Sequence, residues 1–237
     1  MYNGTNWTEV NNINTSKRYF PGVGTTTAGL IFGGVPDTAD TETWNGTNWT
    51  EVNNLNTVKK GLTGAGTNTA ALGFGGYAAP GLFKNETELW NGTNWTEVNN
   101  LNTGRTELGG AGTQTAALAF GGSASGNDKN ETELWNGTNW TEVNNLQTAR
   151  LKLGSAGTQT SALAFGGSAD GLTAATETWN GTNWTNVANM ATARSLVGGA
   201  GASNTSGLVF GGDPVGPTGA LTEEWIVGLA TVTFTDA

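Results

Sequence analysis

"RTELGGAGTQTAALAFGGSASGNDKNETELWNGTNWTEVNNLQT", residues 105–148, contains four short runs separated by turn residues. "LGGAG" is followed by the turn "TQ", then by "TAALAFGG", a polar stretch, "TELW", the turn "NGTN" and "WTEV". None of the runs has the 3.6-residue period of a helix, and their lengths and turn signals are those of strands. Asn-Gly before the last run supplies the left-handed residues that a tight hairpin needs. The stretch predicts a meander of four antiparallel strands.

The same words recur along the chain. Aligning "NWT" puts tryptophans at Trp7, Trp49, Trp95, Trp140 and Trp184, and aligning "FGG" puts phenylalanines at Phe32, Phe74, Phe120, Phe165 and Phe210. Periods in this range, with four strands and no helix per unit, predict the blades of a β-propeller. "LGGAG" suits the innermost strand, where side-chain room is smallest. "ALAF" is the continuous apolar run of a strand covered on both faces. The paired tryptophans, such as Trp90 and Trp95, fill the broader space between outer strands, so Trp140 is expected to be packing rather than a stacking platform.

The chain opens inside its own repeat, with "YNGTNWTEV" at residues 2–10, and the last "TE[TLE]W" motif is "TEEW" at residues 222–225. The expected architecture is therefore all-β: a five-bladed β-propeller of four-stranded antiparallel blades, its ring closed by the N-terminal strand, residues 5–10, which completes the last blade and removes both exposed sheet edges. One domain spans residues 1–229. Residues 230–237, "ATVTFTDA", remain as a C-terminal tail, with the alternation of a strand that competes for the same outer place.

Composition narrows the chemistry. The chain has 237 residues, enough for a sizeable core, and contains no cysteine and no histidine. Disulfides and thiolate sites are excluded, and the commonest general base and metal ligand is missing. No cofactor is implied. A formal charge of -9 argues against a nucleic-acid partner, whose phosphates need lysine and arginine. No apolar run reaches the length of a membrane helix, and the N-terminus lacks the pattern of an export signal. Ring closure predicts a monomer.

The pattern "R…GGAG…ALAFGG…TELW…NWTEV…LNT" resembles the kelch repeat: a Gly-Gly pair closing an apolar strand, then Glu and an aromatic residue, then Trp, then a basic residue opening the next unit. The resemblance covers essentially the whole chain and implies a propeller, although kelch propellers are more often six- or seven-bladed. In texture, the threonine- and asparagine-rich repeats resemble tail or appendage proteins of marine bacteriophages. That likeness implies a virion or extracellular setting. The histidine ligands of a galactose-oxidase-type copper centre are absent.

Two charged positions recur once per blade: Glu42, Glu88, Glu133, Glu177 and Glu223, and Lys17, Lys59, Arg105, Arg150 and Arg194. A catalytic acid and base need different environments, whereas these repeat in similar ones. They are expected to form ion pairs and hydrogen bonds between strands or blades. A five-bladed glycosidase, the enzymatic alternative, needs two convergent carboxylates, and the innermost strands carry only Glu107. "NGT" and "NWT" match the glycosylation acceptor pattern, but turn chemistry accounts for their repetition. "GNDKNE", residues 126–131, lacks the full pattern of a calcium loop and reads as a polar loop.

Variation is concentrated between "FGG" and "TE[TLE]W", where the units read "VPDTAD", "YAAPGLFKNE", "SASGNDKNE", "SADGLTAA" and "DPVGPTGAL". In a four-strand meander these loops emerge beside the blade-to-blade connections, so one face carries the variation, and loops on a rigid scaffold are where binding residues sit. The expected ligand contacts are Tyr77, Phe83 and Lys84 in one loop and Asp128 and Lys129 in the next. Arg105, Arg150 and Arg194 along a central channel are the fallback. The predicted function is a non-enzymatic binding or structural module whose partner is a glycan or a protein surface; a protein assembly scaffold is the alternative.

Overall fold

The computed structural model describes residues 1–213 and 221–227, and the backbone of 232–236. Most of the fifth variable segment, and residues 230, 231 and 237 of the expected tail, lie outside the described residues. All regular structure described is β, and the chain packs as two compact units. The first comprises Met1–Thr106 with residues 113–115 and 137–139. The second comprises Glu107–Gly112, Ala116–Asn136 and Trp140–Ala237.

The first unit holds two four-stranded antiparallel sheets. One runs β1 (Gly22–Thr25), β2 (Ala28–Phe32), β3 (Thr41–Trp44), β4 (Trp49–Val52) in chain order. The next runs β5 (Thr63–Gly66), β6 (Ala71–Phe74), β9 (Thr87–Trp90), β10 (Trp95–Val98), with a two-stranded ribbon, β7 (Tyr77–Ala78) and β8 (Leu82–Phe83), between its second and third strands. Close approach explains the glycines of the inner strands. A Cβ on Gly64 would stand 2.7 Å from the Phe32 ring of the preceding sheet, and one on Gly73 2.8 Å from it.

The second unit holds three such sheets. They are β11 (Gly109–Gly112), β12 (Ala117–Phe120), β15 (Thr132–Trp135), β16 (Trp140–Val143), with the ribbon β13 (Ser123–Ala124) and β14 (Asn127–Asp128); then β17 (Gly154–Thr158), β18 (Ser161–Phe165), β19 (Thr176–Trp179), β20 (Trp184–Asn186); and β21 (Gly198–Ser203), β22 (Ser206–Phe210), β23 (Thr222–Val227), β24 (Val232–Asp236). Their core includes Leu118, Phe120, Leu163, Phe165 and Trp179.

The tryptophans pack as the sequence implies. Third-strand indoles tie down the turn between the first two strands: Trp90 Nε1 donates to the Asn68 carbonyl and Trp179 Nε1 to that of Gln159, each at 2.9 Å. Outer-strand indoles reach the preceding sheet. Trp95 meets Phe32 at 4.7 Å between ring centroids and donates to Thr41 Oγ1, and Trp184 meets Phe120 at 4.7 Å and donates to Thr132 Oγ1. Trp140 is 5 % exposed, as expected of a packing residue. In the hairpins only the glycine is left-handed, as at Gly46 (φ 93°). The asparagine works through its side chain: Asn45 Oδ1 accepts the Thr47 and Asn48 amides, both at 2.9 Å.

Closure by the N-terminal strand is not what the structure contains. The outer strand of the fifth sheet is β24, taken from the expected tail, so both edges of β23 are occupied. Its register pairs Trp225 with Phe234 and Glu223 with Asp236, as Trp44 pairs with Trp49 and Glu42 with Glu51. "FTD" thus stands in for "WTE". The N-terminal copy closes on itself instead: Tyr2 bridges Trp7, with the Thr8 amide on the Met1 carbonyl at 2.7 Å. Trp7 is left 50 % exposed, whereas Trp95, Trp140 and Trp184 are buried. The boundary drawn at residue 229 therefore separates β24 from the sheet it completes.

Two outcomes follow from this packing. Replacing Trp184 with alanine should cost about 3–5 kcal/mol in chemical denaturation, the range for a buried aromatic, while Trp7→Ala should change stability little. Truncation after Val227 should open the β23 edge and cause concentration-dependent association, measured by sedimentation, whereas deletion of residues 1–10 should leave the chain monomeric. The reverse order would return the N-terminal copy to that edge.

Candidate functional site

The chain entering each sheet is fastened to that sheet's third strand. Lys17 Nζ lies 3.2 Å from Glu42, Lys59 Nζ 2.9 Å from Glu88, Arg150 Nη2 3.0 Å from Glu177 and Arg194 Nη2 2.6 Å from Glu223, all with buried side chains. The other carboxylate oxygen accepts an incoming backbone amide, from Asn14, Asn56, Gln147 or Ala191, at 2.7–2.8 Å. Burial pushes the Arg150 guanidinium below its ordinary value, with Glu177 opposing. These are the structural pairs that the repetition implies. Of the fallback residues, Arg105, Arg150 and Arg194 are themselves fully buried.

Directly after Lys17, Lys59, Arg150 and Arg194 the chain passes beside the variable loop. In the first unit Arg18 bridges Val35 and Lys60 bridges Tyr77; in the second Leu151 bridges Ser168 and Ser195 bridges Asp213. Within each unit, then, connection and variable loop do emerge together.

The five expected contact residues divide between the units. In the first, Tyr77 and Phe83 pair across the β7–β8 ribbon with rings edge-on at 5.6 Å. The Lys60 ammonium lies 5.6 Å from the Tyr77 ring centroid while holding Asp37 at 2.7 Å. Lys84 pairs with Glu86 at 3.1 Å. Burial favours the neutral Glu86, but its own backbone amide and Lys84 outweigh this and hold the carboxyl below its usual range. Tyr77 and Phe83 therefore pin their own loop, and the exposed apolar side chain there is Leu82, at 53 %. In the second unit Asp128 lies on β14 opposite Ser123, and Lys129 pairs with Glu131 at 3.4 Å.

A set of residues that the sequence reading passed over stands two places after each buried cation: Tyr19, Gly61, Glu107, Lys152 and Leu196. All five are left-handed, with φ between 55° and 61°. They are joined as rungs: Gly61 N donates to Tyr19 O at 2.9 Å in the first unit, and in the second Lys152 N donates to Glu107 O and Leu196 N to Lys152 O, each at 2.8 Å. Their side chains differ in every repeat, while the surrounding words are near copies. The available signal was that variability at a fixed offset from the cation; only Glu107 drew notice, as an acid. Burial raises its carboxyl above the ordinary value, Asp128 adds to the rise and Lys152 opposes it.

No family model matches the sequence, and no curated protein matches it. Among solved structures, the chain is similar to that of YjhT, with a TM-score of 0.75 over 92 % of this chain and 84 % of that one, at 12 % identity. The fold is a five-bladed β-propeller. At that identity the likeness concerns the fold alone, and the sheets described above are its blades.

The raised Glu107 carboxyl fixes the sign of a pH effect. A folded value above the unfolded one means that the native state binds the proton more tightly, so stability is full below the unfolded value and is lost as pH rises through the folded value. Glu107→Gln should therefore melt higher than the parent at neutral pH. The difference should vanish as pH falls below the ordinary glutamate value of 4.5. A melting series from acid to neutral pH checks this.

Proposed function

We propose that this propeller is a non-enzymatic binding module that uses the variable loops and adjoining connections of its blades to hold a glycan or a protein surface. The carrying observation is the contrast between a scaffold repeated almost word for word and the segments that vary on it, which adjoin one another within each unit. Repeated, fully paired carboxylates hold the scaffold and leave the loops free to change. The kelch-like pattern and the threonine- and asparagine-rich texture support a setting on an extracellular or viral particle.

An assembly scaffold is the second reading, favoured by exposed apolar side chains on β23, Ile226 at 49 % and Val227 at 45 %. The enzymatic alternative would pair Glu107 with Asp128, which lies near enough to act on it. Loss of aryl-glycoside hydrolysis in Glu107→Gln would identify that activity.

A glycan array with the purified chain, followed by exchange of residues 123–131 for the short "VPDTAD", tests the binding reading. The exchanged protein should keep its melting temperature within a few degrees and lose the captured glycan. Unchanged binding after the exchange would place the contacts elsewhere.

A further inference from the structure

Three consecutive rungs of the second unit carry an acid, a base and an apolar side chain: Glu107, Lys152 and Leu196. Left-handed backbone is costly for residues with a Cβ and nearly free for glycine. Gly61 occupies this very place in the second repeat, so the fold accepts glycine there. Keeping Glu, Lys and Leu in a strained conformation points to use of the side chains.

Their surroundings agree. Glu107 is partly buried, yet its carboxylate makes no hydrogen bond and no contact ion pair among the described residues, and the same holds for the Lys152 ammonium. Leu196 is 39 % exposed. Successive rungs joined by a 2.8 Å amide-to-carbonyl hydrogen bond set the three residues in a row, with Lys152 between Glu107 and Leu196. Asp128 acts on the Glu107 carboxyl as a second negative charge.

We infer that Glu107, Lys152 and Leu196 form a binding site for a small zwitterionic amino acid with an apolar side chain. The α-carbon of such a molecule carries an ammonium, a carboxylate and an apolar group within two bonds of one another, matching the three rungs. Glu107, backed by Asp128, takes the ammonium, and Lys152 takes the carboxylate, both through charge-assisted hydrogen bonds. Leu196 covers the apolar group, which gains by leaving water. The site lies on the connections and deepens that part of the proposed reading; apart from Asp128 it uses no variable-loop residue, so its failure would leave capture of a glycan by the loops standing.

The test is calorimetric titration of the full chain with L-leucine, N-acetyl-L-leucine and L-leucinamide. Leucine should bind, and blocking either its amine or its carboxylate should weaken binding by about tenfold or more, the loss of one charged hydrogen bond. Glu107→Gln and Lys152→Met, checked for a native fold by circular dichroism, should each show a similar loss. No heat from leucine at millimolar concentration, equal binding of leucine and its N-acetyl derivative, or full affinity in Glu107→Gln would each overturn the assignment.

Discussion

A buried carboxylate in the third strand of a sheet holds the chain that enters that sheet. In the first, second, fourth and fifth sheets one oxygen takes the ammonium or guanidinium and the other takes an incoming backbone amide, so a single side chain fixes both direction and register. The third sheet carries Arg105 and Glu133 at the same places, both buried. Burying such charges is expensive, and removal of one partner typically costs about 3–5 kcal/mol because the other is left uncompensated. That penalty accounts for a cation and an acid that recur while the residue two places on differs in every repeat.

Once the connection is fixed, the first strand follows it into tight quarters. The left-handed residue turns the chain, and the glycines of β5 and β6 let the Phe32 ring of the neighbouring sheet lie against their backbone. Trp90, Trp95, Trp179 and Trp184 then fill the wider outer space, each giving its indole N–H to a carbonyl or threonine hydroxyl, so that large apolar area is buried without an orphaned donor. The cross-strand pairing of Glu42 with Glu51, Glu88 with Glu97 and Glu133 with Glu142 places like charges opposite one another at the sheet edge. Such pairing is unfavourable in isolation, but an exposed acid on an outer strand discourages pairing with other chains.

The sequence by itself determined the repeat, the four strands of each unit, the burial of Trp140 and the pairing of the recurrent charges, because each of these follows from local period, turn chemistry and the cost of burial. It also located the variable loops, though not which of their side chains are free. Tyr77, Phe83, Lys84 and Lys129 are engaged by neighbours that only the folded chain brings to them. The tertiary structure alone decided the fifth outer strand, where "FTD" replaces "WTE". Edge pairing depends on backbone register and on which segment is already engaged, and Trp7 is bridged by Tyr2 within its own hairpin. It also revealed the rung residues, which the sequence marked only by their variability at a fixed offset from the cation: a left-handed φ and an amide-to-carbonyl hydrogen bond between repeats are properties of the backbone in space, and Tyr, Gly, Glu, Lys and Leu share no side-chain chemistry.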